Sequence, residues 1–299
     1  MGKLCEGRVC IVTGAARGIG REYALMLAAQ GGRVVVNDLG VARDGVGRDT
    51  TAAEAVVEEI RAAGGEAVAN ADDISDWEGA KRLVDHAVNA FGRLDVLVNN
   101  AGILRDRMIA NMTEEEWDAV VKVHLKGSFA PMHHAAVYWR SLNKRSGEPV
   151  NARVIHTTSS SGLWGNVGQS NYGAAKAGIA AMTIIGAREL GRYGVTVNAI
   201  SPHAQTRMTE SLRERTPDEI ERRHPKYIAP VVTWLASAES GDVTGRVFEV
   251  GGGVLSVLEG WHRGPTAEQI ADPTQLGPVL REMAHAARRN ADMRGKDLD

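Results

Sequence analysis

The chain has 299 residues, of which 43% are hydrophobic and 24% charged, and its formal net charge at pH 7 is −2. This composition is typical of a globular protein that buries a sizeable core. A nearly neutral chain has no strong field that attracts nucleic acid or an anionic membrane, so the sequence favours a small-molecule partner over either of these. The two cysteines, Cys5 and Cys10, are too few for a disulfide framework and are expected to be buried free thiols.

The amino-terminal segment lacks the long apolar stretch of a signal peptide or membrane helix, and it runs directly into a strand pattern. The final residues, KDLD, match no peroxisomal or retention signal. We therefore expect a cytoplasmic protein.

Short apolar runs bounded by glycine or polar residues are typical of buried parallel strands. Such runs occur, in chain order, in RVCIVTG, RVVVND, EAVAN, LDVLVNNAG, ARVIHTTS, VTVNAIS and GRVFEVGG. Helical periodicity lies between them, over residues 21–29, 50–63, 77–91, 114–127 and 172–192. The alternation predicts an α/β fold with a single Rossmann-type, doubly wound parallel sheet of about seven strands and helices on both faces.

Two segments, residues 37–50 and residues 255–299, do not follow this alternation. Residues 1–254 are predicted to form the Rossmann-type domain. Residues 255–299 are predicted to form an extension that packs as a cap or subunit contact and frays at its end. Within the extension, residues 280–289 have the pattern of one more amphipathic helix. Residues 37–50 are rich in glycine and charge, and they either cover the adenosine end of a nucleotide or form a solvated loop.

A glycine motif, TGAARGIG, follows the first predicted strand and opens a helix. In such a turn Gly14 permits the tight bend, Gly18 lets the backbone approach a pyrophosphate, and Gly20 lets the helix pack closely on the strand. The free N–H groups of the helix N-terminus then face the phosphates. The predicted cofactor-binding residues of this turn are Gly14, Arg17, Gly18, Ile19 and Gly20.

Asp38 ends the second strand, where the ribose hydroxyls of a bound dinucleotide lie. A carboxylate accepts hydrogen bonds from both hydroxyls, but it repels a 2'-phosphate by about 4 kcal/mol per unit charge at about 4 Å and an effective dielectric constant of about 20. The sequence therefore predicts NAD as the cofactor. Arg17 and Arg43 leave an alternative open, because each either pairs with a phosphate or faces solvent.

Tyr172 and Lys176 lie four residues apart in NYGAAK, at the start of a helical pattern, and so share one helix face. A free tyrosine has a pKa of about 10, but a neighbouring ammonium and an oxidised nicotinamide both favour the phenolate. Ser159 ends the fifth strand and is placed to donate to a substrate oxygen. Together the three residues predict an oxidoreductase in which Tyr172 moves the proton and the nicotinamide moves the hydride.

In order along residues 7–253, the glycine motif, Asn99-Asn100-Ala101-Gly102, the serine and the tyrosine–lysine spacing resemble the short-chain dehydrogenase/reductase family. The resemblance implies that Asn100 supports the central strand beside the adenosine and that Asn100, Ala101 and Gly102 bind the cofactor. It also implies further cofactor contacts at Asp73, Ile74 and Thr206. Tyr172 and Lys176 are predicted to contact the cofactor as well, and the three donors of the lysine can hold the nicotinamide ribose.

The sequence departs from the family at one position. Where the family usually has asparagine in VxNLxG, this chain has Val123-His124-Leu125-Lys126-Gly127. The family asparagine completes a proton relay through water to the lysine, so His124 is the candidate replacement. VHLKG, WGNVGQSNYGAAK and PKYIAPVVTWL also resemble one subgroup, the (3R)-hydroxyacyl-CoA dehydrogenase units of the peroxisomal multifunctional enzymes of β-oxidation.

The resemblance implies NAD-linked interconversion of a secondary alcohol and a ketone, with a (3R)-3-hydroxyacyl-CoA as the leading substrate, in a homodimer or homotetramer. One alternative keeps the chemistry and changes the substrate to a hydroxysteroid or a steroid side-chain acyl-CoA. A second alternative is a non-catalytic NAD-binding regulatory protein, which the intact set of Ser159, Tyr172 and Lys176 argues against.

Other candidate residues have two interpretations each. His133 and His134 have no third ligand at a recognisable spacing, so packing is favoured and no metal site is predicted. Trp164 and Met208 contact an acyl chain or serve as ordinary packing residues. His203 shapes the surroundings of the nicotinamide or faces solvent. In the segment NNAGILRDR, the arginines receive an acidic CoA moiety or belong to a solvated loop.

Overall fold

The computed structural model describes residues 3–40, 47, 51–204 and 216–298. In these ranges the strands form one sheet, and the first seven strands lie in the seven apolar runs that the sequence predicts. The strands are β1 (Val9–Thr13), β2 (Arg33–Asn37), β3 (Glu66–Asn70), β4 (Val96–Asn99), β5 (Ala152–Thr157), β6 (Val195–Pro202), β7 (Val247–Gly251) and β8 (Val254–Leu258).

The sheet order is β3-β2-β1-β4-β5-β6-β7-β8, and neighbouring strands from β3 to β7 are parallel. The chain winds outward in one direction from β1 and in the other from β4. The carboxyl ends of these two central strands therefore meet at the topological switch point, where ligands bind in sheets of this kind. The predicted doubly wound fold is confirmed.

The structure adds an eighth strand, β8, which pairs antiparallel with β7 at the sheet edge. The reversal is made by Gly251, Gly252 and Gly253, whose φ angles of 109°, 63° and 87° favour glycine. β8 begins at Val254, so the predicted boundary between residues 254 and 255 falls within this strand. The division into domain and extension stays a prediction.

Helices connect the parallel strands and cover both faces of the sheet. They are α1 (Gly18–Ala29), α2 (Thr51–Ala62), α3 (Trp77–Phe91), α4 (Glu114–Val121), α5 (Gly127–Ser146), α6 (Ser160–Trp164), α7 (Ser170–Leu190), α8 (Pro217–Arg222), α9 (Ala229–Ala236) and α10 (Pro273–Ala286). The bounds of α3 match the predicted helix. The helix predicted in the extension exists, but it begins earlier than predicted, at Pro273.

The predicted helix over residues 114–127 is interrupted. α4 ends at Val121 and passes through one π-helical turn, Lys122–Lys126, into α5. A π-turn inserts an extra residue into the helical repeat, and such turns frequently mark functional sites. Here the turn contains His124, the residue at which the sequence departs from the family pattern.

The apolar residues of the strands alternate between two cores, one on each face of the sheet. Val12 belongs to the core beneath α1 and α9, and Ile11 to the core beneath α3 and α5. Cys5 and Cys10 are buried free thiols, as expected, and burial raises the pKa of Cys5 to about 11. In the described ranges, no helix has both the length and the apolar character needed to cross a bilayer.

Candidate active site

The glycine motif forms the turn between β1 and α1. Gly14 has a φ of 64°, and a Cβ at this position would come within 2.7 Å of Ala101 Cα, so the turn can approach the end of β4 only without a side chain. The N-cap residue of α1, Arg17, offers no hydrogen-bond acceptor, and the first turn of the helix contains no acidic residue. The positive end of the helix dipole is therefore not neutralised from within the helix, which suits an anionic ligand.

Gly20 allows α1 to pack directly on this turn. A Cβ there would collide with the Gly14 carbonyl oxygen and lie 2.5 Å from Asn100 Nδ2. We expect Gly20→Ala to lower the free energy of unfolding by about 1–3 kcal/mol, because backbone must move to make room, and to weaken dinucleotide binding. Denaturant unfolding and a titration with NAD measure the two effects.

Gly191→Ala is the matched control for that prediction, because nothing lies within 4 Å of the added Cβ and the backbone there is helical. If Gly20→Ala were as stable as Gly191→Ala and bound NAD equally well, close packing at Gly20 would not matter.

Asp38 follows β2 and connects the glycine turn to the next segment of the chain. One carboxylate oxygen accepts a hydrogen bond of 2.9 Å from the Ala16 N–H, and the other accepts one of 2.8 Å from the Gly40 N–H. The backbone N–H of Asp38 donates to the Asn70 carbonyl at 3.0 Å. These bonds hold the carboxylate at the carboxyl edge of the sheet, beside the glycine turn. Arg43 lies outside the described residues.

Asn100 connects the ends of the two central strands. Its Nδ2 donates to the carbonyls of Thr13, at 3.0 Å, and Gly14, at 3.1 Å. The Thr13 hydroxyl in turn accepts hydrogen bonds from the N–H groups of Asn100 and Ala101. This network gives Asn100 a supporting position at the end of β4, and it depends on Thr13, to which the sequence interpretation assigned no role.

For the other residues implied as cofactor contacts, the structure shows the surroundings of the side chain but no feature that points to a nucleotide. Asp73 accepts hydrogen bonds from the Ser75 N–H and hydroxyl, at 2.8 and 2.6 Å, and so closes the turn before α3. Ile74 is buried in the core on the α3 side of the sheet. Contacts of these two residues with adenine stay a prediction, and Thr206 and Met208 lie outside the described residues.

The side chains of Ser159 and Tyr172 lie close to each other. Ser159 is the N-cap of α6, where its Oγ accepts a hydrogen bond of 3.2 Å from the Ser161 N–H. Burial raises the pKa of Tyr172, while a hydrogen bond from the Ser159 side chain lowers it and the negative charge of Asp106 raises it. The serine and the phenol therefore lie close together at the carboxyl end of β5, and their role in proton transfer stays a prediction.

Lys176 lies one turn after Tyr172 on α7 and is 3% exposed. Its Nζ donates to the Thr157 carbonyl at 2.6 Å and lies 5.6 Å from the centroid of the Tyr172 ring. Burial lowers the pKa of Lys176 from 10.5 to about 7. The lysine is thus poised between its charged and neutral forms near neutrality, and its expected effect on the pKa of Tyr172 stays a prediction.

The depressed pKa of Lys176 predicts how stability depends on pH. Between about 7 and 10.5, the unfolded chain holds the lysine proton and the folded chain does not. The contribution of Lys176 to the free energy of unfolding therefore rises with pH across this window, by up to about 1.4 kcal/mol per pH unit.

Lys176→Met isolates this contribution, because methionine fills similar space without a titrating group. Denaturant unfolding of both proteins at pH 7.5, 8.5 and 9.5, without added nucleotide, is expected to show the wild type gaining stability relative to the variant. Parallel stability curves would mean that the lysine keeps an ordinary pKa.

Two buried amides that the sequence interpretation left without a role hold α7 in place. Asn171 Nδ2 donates to the carbonyls of Arg105 and Glu116, at 3.0 Å each, and its Oδ1 accepts from the Tyr172 N–H at 2.7 Å. Gln169 Nε2 donates to Asp106 at 2.8 Å. The segment with the two arginines is thereby held against the start of α7, beside Tyr172.

His124 is buried in the π-turn, at 1% exposure. Its Nε2 lies 2.8 Å from the Ile103 carbonyl and 3.1 Å from the Ile103 N–H, and its ring meets the Tyr172 ring edge to face at a centroid distance of 5.0 Å. A Cβ at Gly102 would collide with the imidazole. Burial, and secondly the charge of Lys176, lower the pKa of His124 well below its usual value. The structure thus brings a neutral histidine to the tyrosine, while a relay role stays a prediction.

The extension contacts α6. The ring of Trp164, at the end of α6, lies against Gly295, where an added Cβ would come within 3.2 Å of it. Gly295 is the tip of a small hairpin in which Ala291 bridges Asp297 and the Asp292 N–H donates to the Lys296 carbonyl at 2.7 Å.

The three other histidines for which the sequence left two interpretations pack against an aromatic ring or lie within hydrogen-bond distance of a carboxylate. His133 and His134 on α5 pack against Trp77, one tilted and the other edge-on, with ring-centroid distances of 4.7 and 4.8 Å. His203, at the end of β6, lies 2.7 Å from a carboxylate oxygen of Glu249. Across the described ranges, histidines, cysteines and carboxylates form no group of three suited to a metal ion.

Known proteins resemble this chain over most of its length. The family model for short chain dehydrogenases matches residues 8–217. A crystal structure of a short chain dehydrogenase from Mycobacterium avium is 54% identical, with a TM-score of 0.87, and the match covers 96% of this chain and 98% of that one.

Two relatives indicate the branch of the family. Hydroxyacyl-CoA dehydrogenase ChsB1 of Mycobacterium tuberculosis is 46% identical over 93% of this chain and 88% of its own. Peroxisomal multifunctional enzyme type 2 of Mus musculus is 44% identical over 86% of this chain, which spans 33% of the mouse protein. The matching fold, the glycine turn and the serine–tyrosine–lysine cluster agree with these similarities, and the chain belongs to the short chain dehydrogenase family, whose members are oxidoreductases that act on CH–OH groups.

Proposed function

We propose that the protein is an NAD-dependent dehydrogenase that interconverts a (3R)-3-hydroxyacyl-CoA and its 3-oxoacyl-CoA. The observation that carries the proposal is the pairing of Ser159 with Tyr172 above the buried Lys176, at the carboxyl edge of the sheet and beside the glycine turn. A phenol and a serine hydroxyl in contact, with an amine one helical turn away, suit proton exchange with a secondary alcohol.

The glycine turn, the unneutralised start of α1 and the carboxylate of Asp38 fit a nicotinamide dinucleotide. Gly14, Gly18, Ile19 and Gly20 would face its pyrophosphate, and Asp38 its adenosine ribose. When bound, the oxidised cofactor accepts a hydride and adds positive charge beside the phenol. We assign NAD rather than NADP because the two backbone N–H groups bonded to Asp38 hold its negative charge in place.

The residues of this chain divide the proton chemistry among them. During oxidation, Ser159 orients the substrate oxygen by donating a hydrogen bond, and Tyr172 takes the hydroxyl proton at its phenolic oxygen. Lys176, in its ammonium form, favours the phenolate. His124 stands where the family has its relay asparagine, and as a neutral ring it offers Nδ1 to a water between itself and Lys176.

Two observations support an acyl-CoA substrate. Similarity at 46% identity extends along 93% of the chain to a protein named as a hydroxyacyl-CoA dehydrogenase. The hairpin of the extension, with Arg294 and Lys296 on either side of Gly295, also lies against Trp164. We propose that residues 255–299 border the substrate entrance, where this hairpin lies beside Trp164.

We further propose a homodimer or homotetramer built on the long helices α5 and α7. Each presents large apolar side chains to solvent, Phe129 and Val137 on α5 and Ile184 and Ile185 on α7. Sedimentation velocity tests this assembly.

The function is tested by absorbance at the band of reduced nicotinamide. NAD and NADP are supplied separately, with panels of (3R)- and (3S)-3-hydroxyacyl-CoA thioesters of different chain length and of hydroxysteroids. We expect the highest kcat/KM for NAD with a (3R)-hydroxyacyl-CoA. A higher kcat/KM for a hydroxysteroid would replace the substrate assignment, and binding of NAD without turnover on any panel would overturn the enzymatic one.

A further inference from the structure

Gln169, the N-cap residue of α7, is a buried side chain that the mechanism above does not use. It is 9% exposed, and both ends of its amide are hydrogen-bonded. Nε2 donates to Asp106 Oδ2 at 2.8 Å, while Oε1 accepts from Ser161 Oγ at 2.7 Å and from Asn166 Nδ2 at 2.9 Å. One amide therefore joins the segment after β4, the first turn of α6 and the start of α7.

The partners fix the direction of these hydrogen bonds. A carboxylate only accepts, so the atom of Gln169 that faces Asp106 is the amide nitrogen. The amide oxygen then faces Ser161, and the serine hydroxyl must donate to it. The bond to Asp106 is charge-assisted, and such bonds are roughly twice as strong as neutral ones. The carboxylate therefore holds the amide in this orientation.

Ser161 connects this network to Ser159. The backbone N–H of Ser161 donates to Ser159 Oγ at 3.2 Å. Ser159 accepts this bond as the N-cap residue of α6, so its own hydroxyl proton is left to donate to Tyr172 or to a substrate oxygen. Gln169 thus holds the residue whose N–H orients Ser159.

The short helix α6 depends on contacts of this kind. It has only five residues, and so short a helix is not stable alone. Glycines let α6 and α7 approach closely: a Cβ at Gly162 would come within 2.5 Å of Ala177 N, and one at Gly173 within 3.0 Å of the Ser161 carbonyl oxygen. Close packing limits the distance between the two helices, whereas the directional bond from Ser161 to Gln169 restrains the orientation of the first turn of α6.

The segment that contains Asp106 is itself fixed on the start of α7. The Arg107 N–H donates to the Gly168 carbonyl at 2.8 Å, and Arg107 and Gln169 form a parallel β-bridge. The carbonyl before Asp106 accepts a hydrogen bond of 3.0 Å from Asn171 Nδ2. Backbone contacts on both sides of Asp106 therefore hold its carboxylate where Gln169 can reach it.

We propose that Gln169 is a positioning residue: its amide links Ser161 to the fixed carboxylate of Asp106 and so keeps Ser159 aligned with Tyr172. The effect on the reaction rate rests on the proposed function, whereas the alignment itself does not. The hydrogen bonds described for the Gln169 side chain reach neither Ser159 nor Tyr172 directly, so its effect on them passes through Ser161.

Gln169→Met removes all three hydrogen bonds and fills similar space. We expect kcat for alcohol oxidation to fall by about 10- to 100-fold, because a misplacement of the order of 1 Å can cost this much. The NAD dissociation constant should stay the same, because the glycine turn is unaltered. Gln30→Met is the matched control. It makes the same change at the C-cap of α1, at the opposite edge of the sheet, where the amide oxygen accepts from the Leu4 N–H at 3.2 Å.

The control should lose stability and keep the wild-type kcat, and a merely structural Gln169 would behave in the same way. A second pair of variants tests the direction of the hydrogen bonds, at pH 9 so that the carboxylates are ionised. Gln169→Glu alone sets two carboxylates against each other and should lower kcat as methionine does. With Asp106→Asn added, an amide again donates to a carboxylate, and the Ser161 hydroxyl regains its acceptor. We expect kcat of the double variant to exceed that of Gln169→Glu by about tenfold or more.

Steady-state kinetics, a fluorescence titration with NAD and crystal structures of the wild type and Gln169→Met provide the measurements. In the variant crystal structure, we expect the bond between the Ser161 N–H and Ser159 Oγ to be broken or lengthened. Wild-type kcat in a folded Gln169→Met would overturn the proposal, and so would a double variant no faster than Gln169→Glu. If the wild type turned over no substrate, the proposed function would fail, while the position of Ser159 in the two crystal structures would still decide whether Gln169 aligns it. If Gln169→Met failed to fold, the kcat values of the exchanged pair would decide.

Discussion

Tyr172→Phe is expected to lower kcat for alcohol oxidation by about two to four orders of magnitude, the range usually contributed by a positioned acid or base. The variant keeps the ring and loses the oxygen. Its edge-to-face contact with His124 and its place at the start of α7 should therefore persist. The NAD dissociation constant should change by only a small factor, because no part of the glycine turn is altered.

Steady-state kinetics with the best substrate and a fluorescence titration with NAD measure the two quantities. Tyr193→Phe is the matched control, because it makes the same chemical change at an exposed hydrogen bond, in which the hydroxyl accepts from the side chain of Arg192 at 2.6 Å. Near-normal turnover in Tyr172→Phe would remove the tyrosine from the mechanism. Loss of both NAD binding and turnover would instead indicate that the substitution disrupts the whole site.

The motifs that were predicted correctly are those in which a local pattern decides the geometry. The turn that contains Gly14 and Gly20 depends on residues close together in the chain and on the strand before them, and the sequence carries both. The spacing of Tyr172 and Lys176 works in the same way, because four residues make about one helical turn. For these features the structure adds distances and burial to what the pattern indicates.

Other features depend on contacts between distant segments, which no local pattern records. Periodicity favours one straight helix over residues 114–127, yet a π-turn interrupts it and carries His124 into the interior. His156 belongs to an apolar run and looks like an ordinary strand residue, although it meets Asn99 across β4 and β5. Asn171 gains its role only because α7 packs against the carbonyls of Arg105 and Glu116.

The sequence did not predict the eighth strand for the same reason, because this strand depends on a contact with another segment. VLSVL follows three glycines and is largely apolar. It forms a strand because it pairs with β7 at the edge of the sheet, and the local sequence does not record this pairing. An edge strand is buried less than a central one, and most of β8 is exposed, so the strong burial pattern of the other strands is missing.

The choice of cofactor is the second large effect that we predict, and it depends on one carboxylate. Asp38→Asn removes the charge and keeps an oxygen acceptor for only one of the two backbone N–H groups, of Ala16 and Gly40, because these bind different carboxylate oxygens. Repulsion of a 2'-phosphate is about 4 kcal/mol at about 4 Å and an effective dielectric constant of about 20. Each 1.4 kcal/mol or so is a factor of ten. Relief of a third to two thirds of this repulsion would raise the NADP to NAD ratio of kcat/KM by about 10- to 100-fold.

Asp85→Asn is the matched control, because it removes the same charge from an exposed position on α3 where Asp85 pairs with Lys81. Its cofactor ratio should equal that of the wild type. The ratio is read from initial rates with each cofactor at a fixed saturating substrate concentration, and denaturant unfolding verifies that the amide has not loosened the glycine turn. A wild type that already favours NADP, or an Asp38→Asn variant with an unchanged ratio, would show that the phosphate site is decided elsewhere. The local candidates would then be Arg17, at the start of α1, and Arg43.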